Sequence, residues 1–339
     1  TLSLLSSFLS NRTQRVYING AYSYSGTIRY GVPQESVLGP LLFCIFINDL
    51  PKHLTSPEVD CDLLADDSSI HTDSKDLSSI TSRLQQTIDE ISDWCTNNAM
   101  ILNPQKSKSM VITTRQKRQL APLDLALNIN GNQIEQVKSH KVLGVIIDND
   151  LQWQDHITKV CKKVSQNLYL LKKLKMFVSS DHRKKFFSAH CMSHINYAST
   201  IWSNAADNHI KNLNSLHRRG AKLICDDTNI STSSKLQKIN MLPLDDHFKF
   251  NTAVLVFKTR KKLTPSYLET CLLKATDTYG SIRYRPPIAN IQLFQTSFGC
   301  MGASAWNPLP SSIKLSNTIK NFKSRTKKLL LKNVVHNDQ

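Results

Sequence analysis

The sequence predicts an α+β protein in two parts, with a small antiparallel sheet and helices up to about residue 150 and a mainly helical remainder. Short β-prone runs divided by turn residues crowd the first part, with Asn130-Gly131 and Ala65-Asp66-Asp67 as tight-turn signals. Beyond Trp153 the apolar residues recur at helical spacings instead. The charge changes at the same place: residues 1–150 carry 13 Lys+Arg against 16 Asp+Glu, and residues 151–339 carry 30 against 10. A first part at −3 joined to a second at +20 suggests carboxylate chemistry first and polyanion binding second, because twenty unbalanced positive charges repel one another.

Taken in order, residues 1–10 read as the end of a helix. Arg15 to Asn19 and Gly26 to Tyr30 read as short strands, with Gly20 in the turn between them. The apolar stretch 41–50 is too long and continuous for a half-exposed strand, so a buried helix ending near Pro51 is expected. Val59 to Leu64 and Ser68 to Thr72 form a hairpin around the acidic turn. Leu77, Ile80, Leu84, Ile88, Ile91 and Trp94 mark one face of an amphipathic helix. Ser109 to Thr113 is β-like, 115–118 reads as a basic loop, and Leu125 to Ile134 reads as a hairpin around Asn130-Gly131. Lys141 to Ile147 is another strand. Then Ile157, Val160, Val164, Leu168, Leu171, Leu174 and Val178 line a helix whose other faces carry lysines. Further helices are expected over 181–204 and 207–225, and a basic one over 318–333.

At 339 residues, 40% apolar and 20% charged, the chain has the composition of a folded protein, and roughly 150 residues per domain suggests two domains. Its strongest apolar run, Val37 to Ile47, is broken by Pro40 and falls short of a membrane span. Eight scattered cysteines, none in C-x-x-C spacing, suggest a reducing compartment, not secretion. The chain opens on Leu2, Leu4 and Leu5, as the interior of a helix would, so a fragment is expected.

The acidic hairpin is the sharpest local feature. Two adjacent carboxylates at a turn between buried strands repel each other unless a cation neutralises them, and hard oxygen donors favour Mg²⁺ or Mn²⁺. An Asp-Asp turn alone is also an ordinary solvated turn. Its company narrows the choice. Gly31-Val-Pro-Gln-Glu-Ser-Val-Leu-Gly-Pro-Leu-Leu-Phe43, followed by Ile47-Asn-Asp-Leu-Pro51, precedes it.

This succession resembles the reverse transcriptases of non-LTR retrotransposons, the LINE-type elements and most closely the jockey-like ones. That family reads G-V-P-Q-G-S-V-L-G-P-L-L-F, an I-N-D-L-P-like tail and a Y-A-D-D turn. The lead-in Ser6 to Ser23, the Ile101-Leu-Asn-Pro-Gln-Lys106-Ser-Lys-Ser-Met110 segment, Lys141-Val-Leu-Gly-Val145, the helices from Trp153 to Arg219 and the Ala305-Trp-Asn-Pro-Leu-Pro310 tail all resemble further parts of it.

The resemblance implies a partial right-hand polymerase: palm over 1–150, helical thumb over 151–235, and a basic C-terminal region over 236–339. It implies RNA-directed DNA synthesis with Mg²⁺ or Mn²⁺ at Asp66 and Asp67, and Pro33, Gln34 and Ser36 near nucleotide and template. Lys106 would lie near the leaving pyrophosphate, and Leu143-Gly144 would position the primer. Gln34 could instead satisfy backbone groups, Lys106 could be a surface lysine, and Leu143-Gly144 could simply shape a hairpin. The implied partners are an RNA template, a DNA primer or RNA–DNA hybrid, and deoxynucleotides. The implied location is nucleus and cytoplasm.

Three departures point to a fragment that is inactive alone. The family's earlier aspartate strand has no counterpart in this sequence, Glu35 stands where the family has glycine, and Leu64 replaces the aromatic residue before Ala-Asp-Asp. The alternative reading is a non-catalytic nucleic-acid-binding protein derived from such an element. A third, an anionic-membrane or protein scaffold, uses the basic amphipathic face of 157–178. His190, Cys191 and His194 share helical spacing but lack a second ligand pair and read as a packed helix. The four tryptophans read as core or interface anchors.

Overall fold

A computed structural model describes residues 2–120, 123–273, 283–288 and 292–336, without the side chains of 120, 292, 293 and 334–336. In chain order the elements begin with helix α1 (Leu2–Leu9) and the short strands β1 (Thr13–Gln14), β2 (Tyr17–Ile18), β3 (Ala21–Tyr22) and β4 (Gly26–Thr27). Helices α2 (Gly39–Ile47) and α3 (Leu50–His53) lead to strands β5 (Asp60–Leu64) and β6 (Asp67–His71), then α4 (Leu77–Asn97). There follow β7 (Lys108–Ser109), α5 (Arg115–Leu120), β8 (Asn128–Ile129), β9 (Asn132–Gln133), β10 (Glu135–Gln136), β11 (Ser139–Val142) and β12 (Val145–Asp148). The rest of the described chain is almost entirely helical.

Two compact units result. One comprises residues up to 111 with 116–138, and the other 112–115 with 139 onward. The hairpin β11–β12, placed with the first part in the sequence reading, therefore belongs to the helical unit.

In the first unit, α4 is the organising element. Asp76 caps it, accepting from Ser78 N at 3.4 Å and Ser79 N at 3.0 Å. Hydrogen bonds from Ser78 and Ser79 hold that carboxyl down at about 2. One side of α4 packs Ile91, Trp94 and Cys95 against Ile47, Leu50 and the hairpin residues Leu63 and Ile70. Another packs Ile88 against Leu125, Leu127, Ile129 and Ile134. The sheet is fragmentary: β5–β6 is a five-residue antiparallel hairpin, β8–β9 pairs around Asn130-Gly131, and β7 pairs in parallel with β10.

Four expectations are corrected here. The 41–50 segment is helical, but only Gly39, Ile47 and Leu50 are buried between 39 and 53, while Leu41, Ile45 and Phe46 face solvent. Apolar continuity marks what a helix can bury, not what this chain supplies to cover it. Pro51 does not end a helix but opens α3, where its missing N–H costs nothing. The basic 115–118 stretch is the start of a helix, and β2 pairs with β3 rather than with the 26–30 segment.

The second unit is built on α6 (Gln154–Leu174), whose residues Ile157, Val160, Val164, Leu168 and Leu171 are buried along one face as the spacing predicts. It packs against α7 (Ser180–Phe187), a π-helical turn (Ser188–Met192), α8 (Ser193–Asn196), α9 (Ser199–Trp202) and α10 (Asp207–Ile224). Then come α11 (Thr232–Lys238), α12 (Leu244–Arg260), α13 (Tyr267–Thr270), α14 (Gln292–Gln295), α15 (Phe298–Trp306), α16 (Ser311–Lys314) and α17 (Ile319–His336).

The four tryptophans are all buried. Helix α12 joins two cores: Leu244 and Phe248 lie in the first, and Val256 and Phe257 in the second with Trp306 and Phe322. The described residues beyond 236 share a compact unit with α6.

Candidate active site

The acidic turn sits at the tip of β5–β6, where Leu64 pairs with Asp67 and Ala65-Asp66 makes the connection. Ala65 adopts φ +52°, a conformation that costs a residue with a Cβ roughly 1–2 kcal/mol. Such strain recurs where surrounding structure holds a functional turn in place. Asp66 and Asp67 are exposed, and so are Asp60 and Asp62 further down the hairpin. The strands are only half-buried, through Cys61, Leu63 and Ile70. The two carboxylates are therefore not desolvated, and mutual repulsion, not burial, is what a cation would relieve.

Two adjacent exposed carboxylates are a hard-oxygen donor pair suited in chemistry to Mg²⁺ or Mn²⁺. No group of three His, Cys, Asp or Glu residues gathers anywhere among the described residues. Asp66 and Asp67 are thus an adjacent carboxylate pair, joined among the described residues by no third His, Cys, Asp or Glu in metal-holding range. The His190, Cys191 and His194 set does not assemble either, since Cys191 is fully buried while both histidines are exposed.

The segment before α2 is ordered by its own side chains. Ser36 Oγ donates to Pro33 O at 2.7 Å and accepts from Gly39 N at 2.9 Å, closing the loop onto the helix start. A Cβ at Gly39 would lie 2.8 Å from both Pro33 O and Ser36 Oγ, so only glycine permits this closure. Pro33 is half-buried, Gln34 exposed, and Glu35 between Gln34 and Ser36 stands at φ +57°. Glu35 stands where the resemblance leads one to expect glycine, and a glutamate there adds bulk and a negative charge. Its backbone shows a further reason for glycine, a left-handed conformation.

Lys106 lies exposed in a turn that Asn103 organises, its Oδ1 accepting from Gln105 N at 3.1 Å and Lys106 N at 3.2 Å. Met100 and Leu102 just before it pack on the same core as Leu63 and Ile70, so that core supports both the acidic hairpin and the lysine turn. Leu143 and Gly144 form the two-residue turn of β11–β12, at φ +48° and +88°, with Leu143 exposed. They belong to the other unit.

Sequence reasoning missed two features. Tyr197 Oη donates to Leu143 O at 2.5 Å, a contact 54 residues apart that no local pattern announces. The nested hairpins β1–β4 and β2–β3 expose Tyr17, Tyr22, Tyr24 and Tyr30 beside the exposed Arg15 and Arg29. Tyr17 and Tyr22 pair across the strands at 4.6 Å. A signal existed: no Asp or Glu occurs before Glu35.

Comparison with known proteins bears out the resemblance. Residues 2–147 match the family model of reverse transcriptase (RNA-dependent DNA polymerase). The chain is 35% identical over 162 residues, 46% of its own length, to the RNA-directed DNA polymerase from mobile element jockey of Drosophila melanogaster. It is 28% identical over 231 residues, 66% of its length, to the probable RNA-directed DNA polymerase from transposon BS of the same species. It is also 28% identical over 226 residues to the jockey polymerase of Drosophila funebris. The alignments span only 17% to 25% of these relatives. No described helix is long and apolar enough to cross a membrane.

Proposed function

We propose that this chain is the later palm and thumb segment of a jockey-like reverse transcriptase, contributing two metal-ligating carboxylates and much of the nucleic-acid grip to RNA-directed DNA synthesis. The observation that carries it is the order of three features in one unit: the Gly31 to Phe43 loop, the strained Ala65-Asp66-Asp67 tip and the Lys106 turn. Asp66 and Asp67 would hold Mg²⁺ or Mn²⁺, which when bound supplies the charge that activates a primer 3′ hydroxyl and offsets the leaving pyrophosphate.

The residues of the chain do the remainder. Pro33, Gln34 and Ser36 lie on a loop pinned to α2 and would face nucleotide and template. Lys106 would offset pyrophosphate charge. Leu143 and Gly144, tied down by Tyr197, would place the primer end. The basic helices of 151–235 would follow backbone phosphates of a primer–template hybrid in nucleus and cytoplasm.

Two carboxylates without a third leave the metal site short of ligands, so the chain alone should not polymerise. A second reading, a binder without catalysis, is favoured by one observation: the exposed tyrosine and arginine face of 15–30, suited to stacking on unpaired bases. Primer extension on an RNA template, with filter binding of RNA–DNA hybrid at two salt concentrations, tests both. Salt-steep binding without extension is expected. Extension by the chain alone overturns the inactivity, and absent or salt-insensitive binding overturns the nucleic-acid role.

A further inference from the structure

The Trp306-Asn307 pair, which carries no role in the reading above, organises a cluster of cations. Trp306 is fully buried at the end of α15, with Phe322 stacked at 5.7 Å and 22° and Tyr284 edge-on at 6.1 Å. Arg260, the last residue of α12, places its guanidinium carbon 5.9 Å from the centre of that indole. Lys314, the last residue of α16, places Nζ 5.9 Å from the same centre.

Asn307 assembles the surroundings. Its Nδ2 donates to Tyr284 O at 2.8 Å and its Oδ1 accepts from Tyr284 N at 3.0 Å, which clamps the segment carrying Arg283. Its own carbonyl accepts from Lys314 Nζ at 3.0 Å.

Among the described residues no salt bridge joins a carboxylate to Arg260, Arg283 or Lys314. Lys314 is 5% exposed, and one of its three N–H donors has a partner. Arg260 Nη1 is buried without a hydrogen-bond partner. Desolvation, followed by the charges of Arg283 and Arg260, pushes the Lys314 ammonium below its usual range. Holding like charges together out of water is unfavourable, and the indole face compensates only part of it.

We propose that Arg260, Arg283 and Lys314, gathered at Trp306 and Asn307, form a binding site for a phosphate group. Forked guanidinium donors and a point-charge ammonium suit tetrahedral phosphate oxygens. Arg283 is exposed while Lys314 is buried, so the site grades from solvent to interior and admits an anion from the Arg283 side. The phosphate is either free or part of a nucleic-acid backbone, and the two sources separate by experiment.

The test is thermal unfolding of the whole chain against inorganic phosphate, with chloride at matched ionic strength as control. The unsubstituted chain should gain Tm with phosphate. Arg283→Gln, on an exposed side chain, should fold normally and weaken phosphate about tenfold, the loss of one charge-assisted hydrogen bond. Lys314→Met, close in volume, should fold without phosphate and lose the phosphate-dependent gain.

Competition with oligo(dT) identifies the source. If it displaces phosphate, and Arg283→Gln lowers the salt slope of oligo(dT) binding by about 0.7, the group belongs to a nucleic-acid backbone. If phosphate binding ignores oligo(dT), the ligand is free phosphate. Equal phosphate-dependent gains in the unsubstituted chain and both variants would overturn the site.

Discussion

Tyr197 donates its phenolic hydroxyl to the carbonyl oxygen of Leu143 at 2.5 Å, and the same ring closes over Gly144. The β11–β12 turn is thereby tied to the segment between α8 and α9. A Cβ at Gly144 would meet Tyr197 Cε1 at 3.3 Å, from a backbone at φ +88°. Gly144→Ala should therefore lower stability by about 1–2 kcal/mol from the backbone alone, with the ring contact adding to it. Tyr197→Phe should cost about 1 kcal/mol for the lost hydrogen bond. Urea midpoints check both. Gly20→Ala is the comparison, since Gly20 has φ +83° but nothing within 4 Å, so an equal loss there would remove the packing part of the argument.

Glu35 stands at φ +57°, a conformation that suits glycine. Glu35→Gly should raise the stability of the 33–39 loop by about 1 kcal/mol, while Glu35→Gln should leave it unchanged because its Cβ remains. Both should tighten nucleic-acid binding by removing a negative charge. Amide exchange of Ser36 and Gly39 reports the first effect. Equal protection in the two variants would assign the whole change to charge.

His217 is buried against Phe187, and neither ring nitrogen has a partner. Burial, then the nearby His247, pushes it down to about 4, below its ordinary 6.5. A depressed histidine binds protons more readily unfolded than folded, so stability is full above pH 6.5 and lost as pH falls toward 4. The loss should reach about 3 kcal/mol across that window. His217→Leu should remove its share of the dependence and leave that of His247, which burial also holds down to about 4. Urea midpoints at pH 7 and 4.5 that fall equally in both proteins would assign it elsewhere.

Most of the architecture was legible from periodicity. The buried faces of α4 and α6, the Asn130-Gly131 turn and the change to helices beyond Trp153 all follow from residues that repeat at one element's own period. What local pattern does not encode is who covers a face. That is why 41–50 looked buried yet exposes Leu41, Ile45 and Phe46, and why the β11–β12 hairpin, adjacent in sequence to the first unit, packs with the second. The acidic turn was legible, but the exposure of Asp66 and Asp67 was not. The left-handed backbone of Glu35 and the phenol of Tyr197 on Leu143 depend on contacts that only the folded chain shows.

Tyr24 is fully exposed and near Arg15 and Arg29 in sequence. Tyr24→Ser should leave the urea midpoint unchanged and weaken single-stranded nucleic-acid binding by about 1 kcal/mol or more through lost stacking. Arg15→Gln should lower the salt slope by about 0.7. Unchanged affinity in both would assign this face to protein contact instead.

The central claim is that Asp66 and Asp67 at the β5–β6 tip hold the divalent metal. Mn²⁺-induced relaxation of backbone amides, read by NMR with primer–template present, tests it most directly. The account predicts broadening centred on Leu64 to Ser68 that disappears in Asp66→Asn and Asp67→Asn. Broadening centred on the acidic face of α4 at Asp89, Glu90 and Asp93, with the hairpin tip untouched, would contradict it.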